Sequence, residues 1–98
     1  MTGVGQSILD RLEKANLSQL DLSDIIERPT KSVNAIIQNQ KEVTPQTAVE
    51  LYHAIGGHPL YWMLLDVFRK MEQDGYGEYS WDPAVCEALI ELSQKRSW

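Results

Sequence analysis

Between residues 30 and 40 a row of hydrogen-bonding side chains, Thr30, Lys31, Ser32, Asn34, Gln38 and Gln40, is interleaved with Val33, Ile36 and Ile37 at helical spacing. Such a helix is apolar on one side and carries donors and acceptors on the other. Amides, hydroxyls and an ammonium in that arrangement recognise hydrogen-bonding edges; the same row also suits a plain solvated face. Groups able to make or break bonds are scarce. His53 and His58 are the only histidines and no cysteine lies near them, so a zinc site lacks ligands at suitable spacing. The one cysteine, Cys86, falls on an expected helix close to its apolar stripe, the usual setting of a small inert thiol. The paired glycines at 3 and 5, 56 and 57, and 75 and 77 do not sit between a strand and a helix as a phosphate loop requires. No enzyme activity, metal or cofactor is expected.

The elements that would position this row follow from capping signals. Ser18 is a good N-cap with Asp21 three residues on, the spacing of a capping box. Leu22, Ile25 and Ile26 should be the buried face of that helix. The next helix starts near Pro29 or Thr30, where a missing N–H costs nothing. Two short helices around a tight corner, the second polar outside and apolar inside, make a helix-turn-helix arrangement. Before it, Gln6 to Ala15 reads as a helix with Ile8, Leu9 and Leu12 inward. After it, Thr44 and Pro45 open a fourth helix, with Ala48, Leu51, Tyr52 and Ile55 inward and Gly56 closing it. A fifth, from about Pro59 to Met71, has Tyr61, Leu64, Leu65 and Phe68 on one face and Trp62, Met63 and Val67 on others. A helix apolar almost all round is buried on more than one side, which points to a partner surface or to cover from the C-terminal segment. Asp74 to Gly77 reads as a loop. Asp82 and Pro83 open a sixth helix whose stripe is Val85, Ala88, Leu89 and Leu92.

Ninety-eight residues with 43% hydrophobic content suit one all-α domain. The longest apolar run, Leu60 to Leu65, is far short of a membrane span. Met1 to Gly5 carries no leader signal, so a cytoplasmic protein is expected. The net charge of −5 opposes a simple nucleic-acid binder. Its distribution softens the objection: residues 66–98 hold seven acids against four basic residues, whereas residues 17–44 hold four against three.

Ser18-Gln19-x-Asp21-Leu22-Ser23 resembles the S/T-Q-x-E-L-A opening of Xre/Cro-like helix-turn-helix regulators. The likeness continues through Val33, Asn34 and Ile37 without a gap. Gln38-Asn39-Gln40-Lys41-Glu42-Val43-Thr44-Pro45-Gln46-Thr47-Ala48 is similar to the N-G-K-R-x-(I/L)-(S/T)-P-x-(T/M)-A of HigA-type antitoxins, and Ala54-Ile55-Gly56 with Tyr61-Trp62-Met63-x-Leu65 to their A-L-G…F-W-L-x-L. Together these cover roughly Gln6 to Met71. Four positions depart, one of them Arg28 where the residue after the turn is usually apolar. The usual turn glycine is Glu27, which must then tolerate a left-handed corner unless the turn differs locally. The glycine after the third helix is Asn39, the best non-glycine choice there. The usual lysine is Gln40.

The resemblance implies a five-helix lambda-repressor-like domain over residues 1–73. Residues 74–98 would add a loop and helix packed on that domain or on a dimer partner. In such folds the second helix of the motif enters the major groove. Thr30, Lys31 and Asn34 would face bases, since Asn bonds adenine and Lys guanine there. Gln19, with Gln38, Asn39, Gln40 and Lys41 in the following loop, would contact phosphates. A homodimer through Trp62, Met63 and Val67, or through the sixth helix, would match a palindromic operator on double-stranded DNA. The family further implies a ribonuclease toxin partner and repression of the protein's own operon. The other class consistent with Glu27, Gln40 and the acidic excess is a protein-interaction module with weak or no DNA binding.

Overall fold

The computed structural model describes residues 4–94, with residues 80 and 81 as backbone only. Residues 1–3 and 95–98, at the two ends of the expected units, lie outside the described residues, and with them Lys95 and Arg96. The described chain is all-α, with no strand. Its elements are α1 (Val4–Ala15), α2 (Gln19–Ile25), α3 (Thr30–Ile37), α4 (Pro45–Ile55), α5 (Pro59–Gln73), a 3-10 helix (Gly77–Trp81) and α6 (Pro83–Ser93).

The helix starts follow their caps. The Asp21 N–H donates to Ser18 Oγ at 3.0 Å, and the Ser18 N–H donates to Asp21 Oδ2 at 2.8 Å. These two bonds, the backbone one foremost, hold the Asp21 carboxyl below its usual pKa. Thr44 caps α4 through the Thr47 N–H, and Asp82 caps α6 through the Ala84 N–H, each with proline at the first position. α3 begins at Thr30, with Pro29 as its extended N-cap residue.

Four helix ends share one closure. A residue with positive φ follows the helix, its N–H reaches back three residues, and the next N–H reaches back five. This is the Schellman pattern, which satisfies orphan carbonyls. Asn16, Glu27, Asn39 and Gly75 occupy the left-handed position, with φ of 58°, 55°, 60° and 87°. At Glu27 the bonds are Glu27 N–H to Asp24 O and Arg28 N–H to Ser23 O; at Asn39 they are Asn39 N–H to Ile36 O and Gln40 N–H to Ala35 O. Glu27 therefore takes the left-handed corner that the missing glycine demanded, and carries its steric strain.

The core runs through every α-helix: Ile8 and Leu12 from α1, Leu22 from α2, Val33 and Ile36 from α3, Leu51 from α4, Trp62, Leu65 and Phe68 from α5, and Leu89 from α6. α1 begins earlier than expected, with Val4 and Gly5 buried. Gly5 lies directly against the Ile37 backbone at the end of α3.

Several expectations are corrected. Ile25 is 51% exposed and Ser23 is buried with Leu22 and Ile26; residues 22, 23 and 26 and residues 22, 25 and 26 each span one arc of about 100°, and packing selects the first. Trp62 is fully buried and cannot form a dimer surface. Its Nε1–H donates to Gly56 O at 3.0 Å, and its ring packs edge-on to Tyr61. Trp62, Leu65 and Phe68 are the buried apolar residues of α5, and Tyr61 and Leu64 are half-buried against the core. Ala88 is exposed on α6, and the stretch after Gly75 closes into the 3-10 helix. Through Leu89 and a bond from the His58 N–H to Leu92 O, α6 packs on its own chain.

Candidate nucleic-acid interface

α3 has two well-separated sides. Val33 and Ile36 are buried in the core, and Ile37 is half-buried against it. Thr30, Lys31, Asn34 and Gln38 are all exposed, and fall within an arc of about 100° on a helix of 3.6 residues per turn. The side chains on that arc are partly ordered by one another. Gln38 Nε2 donates to Asn34 Oδ1 at 3.4 Å, across one helical turn. Thr30 Oγ1 lies 3.3 Å from Ser23 Oγ, which itself donates to Leu20 O at 2.8 Å. The Thr30 and Ser23 hydroxyls thus join the start of α3 to α2. Gln19, the first residue of α2, is half-buried next to the capping box. Gln38, Asn39, Gln40 and Lys41 are exposed along the turn that leaves α3.

The cations of the motif divide sharply. Arg28 Nε lies 2.6 Å from Glu50 Oε1, so its guanidinium fastens the corner between α2 and α3 to α4. That ion pair offsets the charge of Arg28, so it attracts an anionic ligand less than an unpaired cation does. Lys31 and Lys41 form no ion pair among the described residues, and both are exposed. Asp24, Glu27 and Glu42 are exposed on α2, on the corner after it and on the connection from α3 to α4. The motif therefore presents two free ammonium groups, several amides and one hydroxyl.

α5 carries the second feature. Leu60 and Val67 are 52% and 44% exposed, and Met63, Leu64 and Met71 are half-buried. Leu60, Leu64, Val67 and Met71 recur at steps of four, three and four, so they form one outward stripe opposite the Trp62 arc. Of the dimer residues expected from sequence, Met63 and Val67 reach the surface and Trp62 does not; Leu60 joins the outward stripe. Its spacing to Val67 was visible, but an over-apolar helix does not reveal which arc is inside.

A polar cleft of about 470 Å³ opens between α1, the ends of α4 and α6, and the start of α5. Arg11 fills its floor: the guanidinium donates to Ile55 O and Ser93 O and stacks over the Tyr61 and Trp62 rings. It joins four elements and is apart from the α3 face. Among the described residues no three of His, Cys, Asp and Glu gather around a point that could hold a metal ion, and no helix is long and apolar enough to cross a membrane. No protein-family model matches the chain, and no curated protein matches it significantly.

Proposed function

We propose that this protein is a sequence-specific regulator that binds double-stranded DNA as a homodimer, with α2 and α3 acting as a helix-turn-helix. The observation that carries the reading is the exposed arc of Thr30, Lys31, Asn34 and Gln38 on a helix whose other side is locked into the core. α3 enters the major groove. Lys31 and Asn34 meet base edges, Thr30 stands beside them, and Gln19 with Gln38 to Lys41 contacts phosphates on either side. The outward stripe of α5, with Val67 and Met63 and without Trp62, meets a second copy and sets the spacing of a palindromic operator. The resemblance to HigA-type antitoxins adds a ribonuclease toxin as partner, an operon repressed by its own product and a place in the cytoplasm.

One observation favours the interaction module. Residues 71–94 contain six acids and no Lys, Arg or His, and all six carboxylates are exposed. A surface of that sign suits a basic protein better than DNA.

The test is a set of substitutions read on two duplexes, the protein's own promoter fragment and a random sequence of equal length. Asn34→Ala and Lys31→Ala are each expected to weaken promoter binding by about 1–3 kcal/mol. Asn34→Ala should leave the random duplex nearly unaffected, while Gln19→Ala weakens both alike. Equal losses on the two duplexes for Asn34→Ala would remove it as a base reader.

A further inference from the structure

The connection from α3 to α4 is tied to α5 by charge. Asp66 is only 4% exposed, an unfavourable place for a carboxylate unless it is paired and hydrogen-bonded. Its Oδ1 accepts from Arg69 at 2.9 Å, and its Oδ2 lies 3.4 Å from Lys70 Nζ. The same Oδ2 accepts the Val43 N–H at 3.4 Å. Lys70 also reaches Glu42, with Nζ 2.7 Å from Oε1. Glu42 and Val43 are thus both held from α5. On the other side of the connection, Asn39 and Gln40 are held by their bonds to Ile36 O and Ala35 O. Lys41 lies between these two anchored pairs, and its ammonium is unpaired among the described residues.

We infer that Asp66 is a positioning residue. Through the Val43 N–H, and through Lys70 to Glu42, it fixes the backbone beside Lys41 so that the ammonium is presented to a DNA phosphate. This rests on the nucleic-acid reading above. A buried ionic cluster contributes less to stability than an apolar replacement often would; here its partners lie on the segment that carries one of only two free cations of the motif.

The sign of the effect separates this role from general electrostatics. Asp66→Asn and Glu42→Ala each remove a negative charge from an acidic protein, which by itself strengthens attraction to DNA. A positioning role predicts the reverse. Asp66→Asn should weaken binding to any duplex by about tenfold and flatten the log–log salt slope by about 1 per subunit, the signature of one lost phosphate contact. In a Lys41→Ala background it should cause no further loss. Glu42→Ala, at an exposed position, should shift binding in the same direction by less, and carries the test if Asp66→Asn fails to fold. Tighter binding by either variant, or an undiminished loss in the Lys41→Ala background, overturns the inference. Amide exchange supplies a readout without DNA: Asp66→Asn should speed exchange at Val43 while the α3 amides keep their protection. Unchanged exchange at Val43 overturns the tether even if DNA binds. A wild-type protein that binds no duplex instead defeats the nucleic-acid reading and Lys41's role in it, and Val43 exchange still reports whether the tether exists.

Discussion

Trp62→Ala is expected to destabilise the fold by about 3–5 kcal/mol, the range for removing a large aromatic from a packed core. The indole is fully buried, edge-packed on Tyr61, overlain by the Arg11 guanidinium and bonded to Gly56 O. Its loss leaves a cavity where α1, α4 and α5 meet, and leaves the Gly56 carbonyl without that donor. For a domain whose total stability is on the order of 5–15 kcal/mol, that is a large fraction. Val67→Asp is the contrasting variant. Val67 is 44% exposed on the opposite arc, so the variant should melt close to wild type. If the stripe is the contact between copies, Val67→Asp should sediment as a monomer at micromolar concentration while the wild type sediments as a dimer. Chemical denaturation separates the two: a Trp62→Ala protein as stable as wild type would mean that the core is assigned wrongly.

Gly5→Ala should be nearly as damaging, although alanine is the better helix former by about 1 kcal/mol. A Cβ built on Gly5 falls 2.7 Å from the Ile37 carbonyl carbon and closer still to its oxygen. Backbone cannot rotate aside as a side chain can, so α1 must shift away from α3. That shift loosens Val4 and Ile8, both buried in the same contact region. Overpacked cores lose about 1–3 kcal/mol and occasionally more; a clash with backbone belongs at or above the top of that range. At about 4–8 °C per kcal/mol for a domain of this size, the melting temperature should fall by on the order of 12–25 °C. A Gly5→Ala protein that melts at or above the wild-type temperature would show that α1 and α3 do not approach this closely.

Local chemistry was the legible part of the sequence. Ser18 with Asp21, Thr44 with Pro45, and Asp82 with Pro83 mark helix starts because each cap is made within three residues of chain. Glu27 and Asn39 stand where the resembling family has glycine, and the left-handed corners which that resemblance implied are the conformations they adopt. The inner arc of α5 was harder. With Trp62, Met63, Leu64, Leu65, Val67 and Phe68 all apolar, periodicity cannot tell inside from outside, and the choice is made by packing against other helices. Ile25 failed for a related reason: in a seven-residue helix a small polar residue, Ser23, can complete the inner face. The ties that shape the candidate interface, Arg28 to Glu50 and Asp66 to Val43, join residues 22 and 23 positions apart. No local rule pairs them. Gly5 likewise looks like an unremarkable N-terminal glycine until α3 is placed beside it.

The central claim, that α3 and its flanks bind duplex DNA, is tested most directly by titrating a promoter duplex with the wild-type protein between about 50 and 200 mM salt. Each neutralised phosphate contributes about −0.9 to the log–log slope. With Arg28 held by Glu50, Lys31 and Lys41 are the free cations of the motif, two per subunit. A dimer should therefore show a shallow slope, about −2 from Lys41 at its phosphate and no steeper than about −4 if Lys31 in the groove also displaces counterions. Gln40→Lys, which restores the cation usual at that position in the resembling family, should tighten binding to any duplex and steepen the slope by up to about 2 units per dimer. No binding to any duplex at low salt, with Gln40→Lys equally silent, would contradict the account and leave the acidic interaction module in its place.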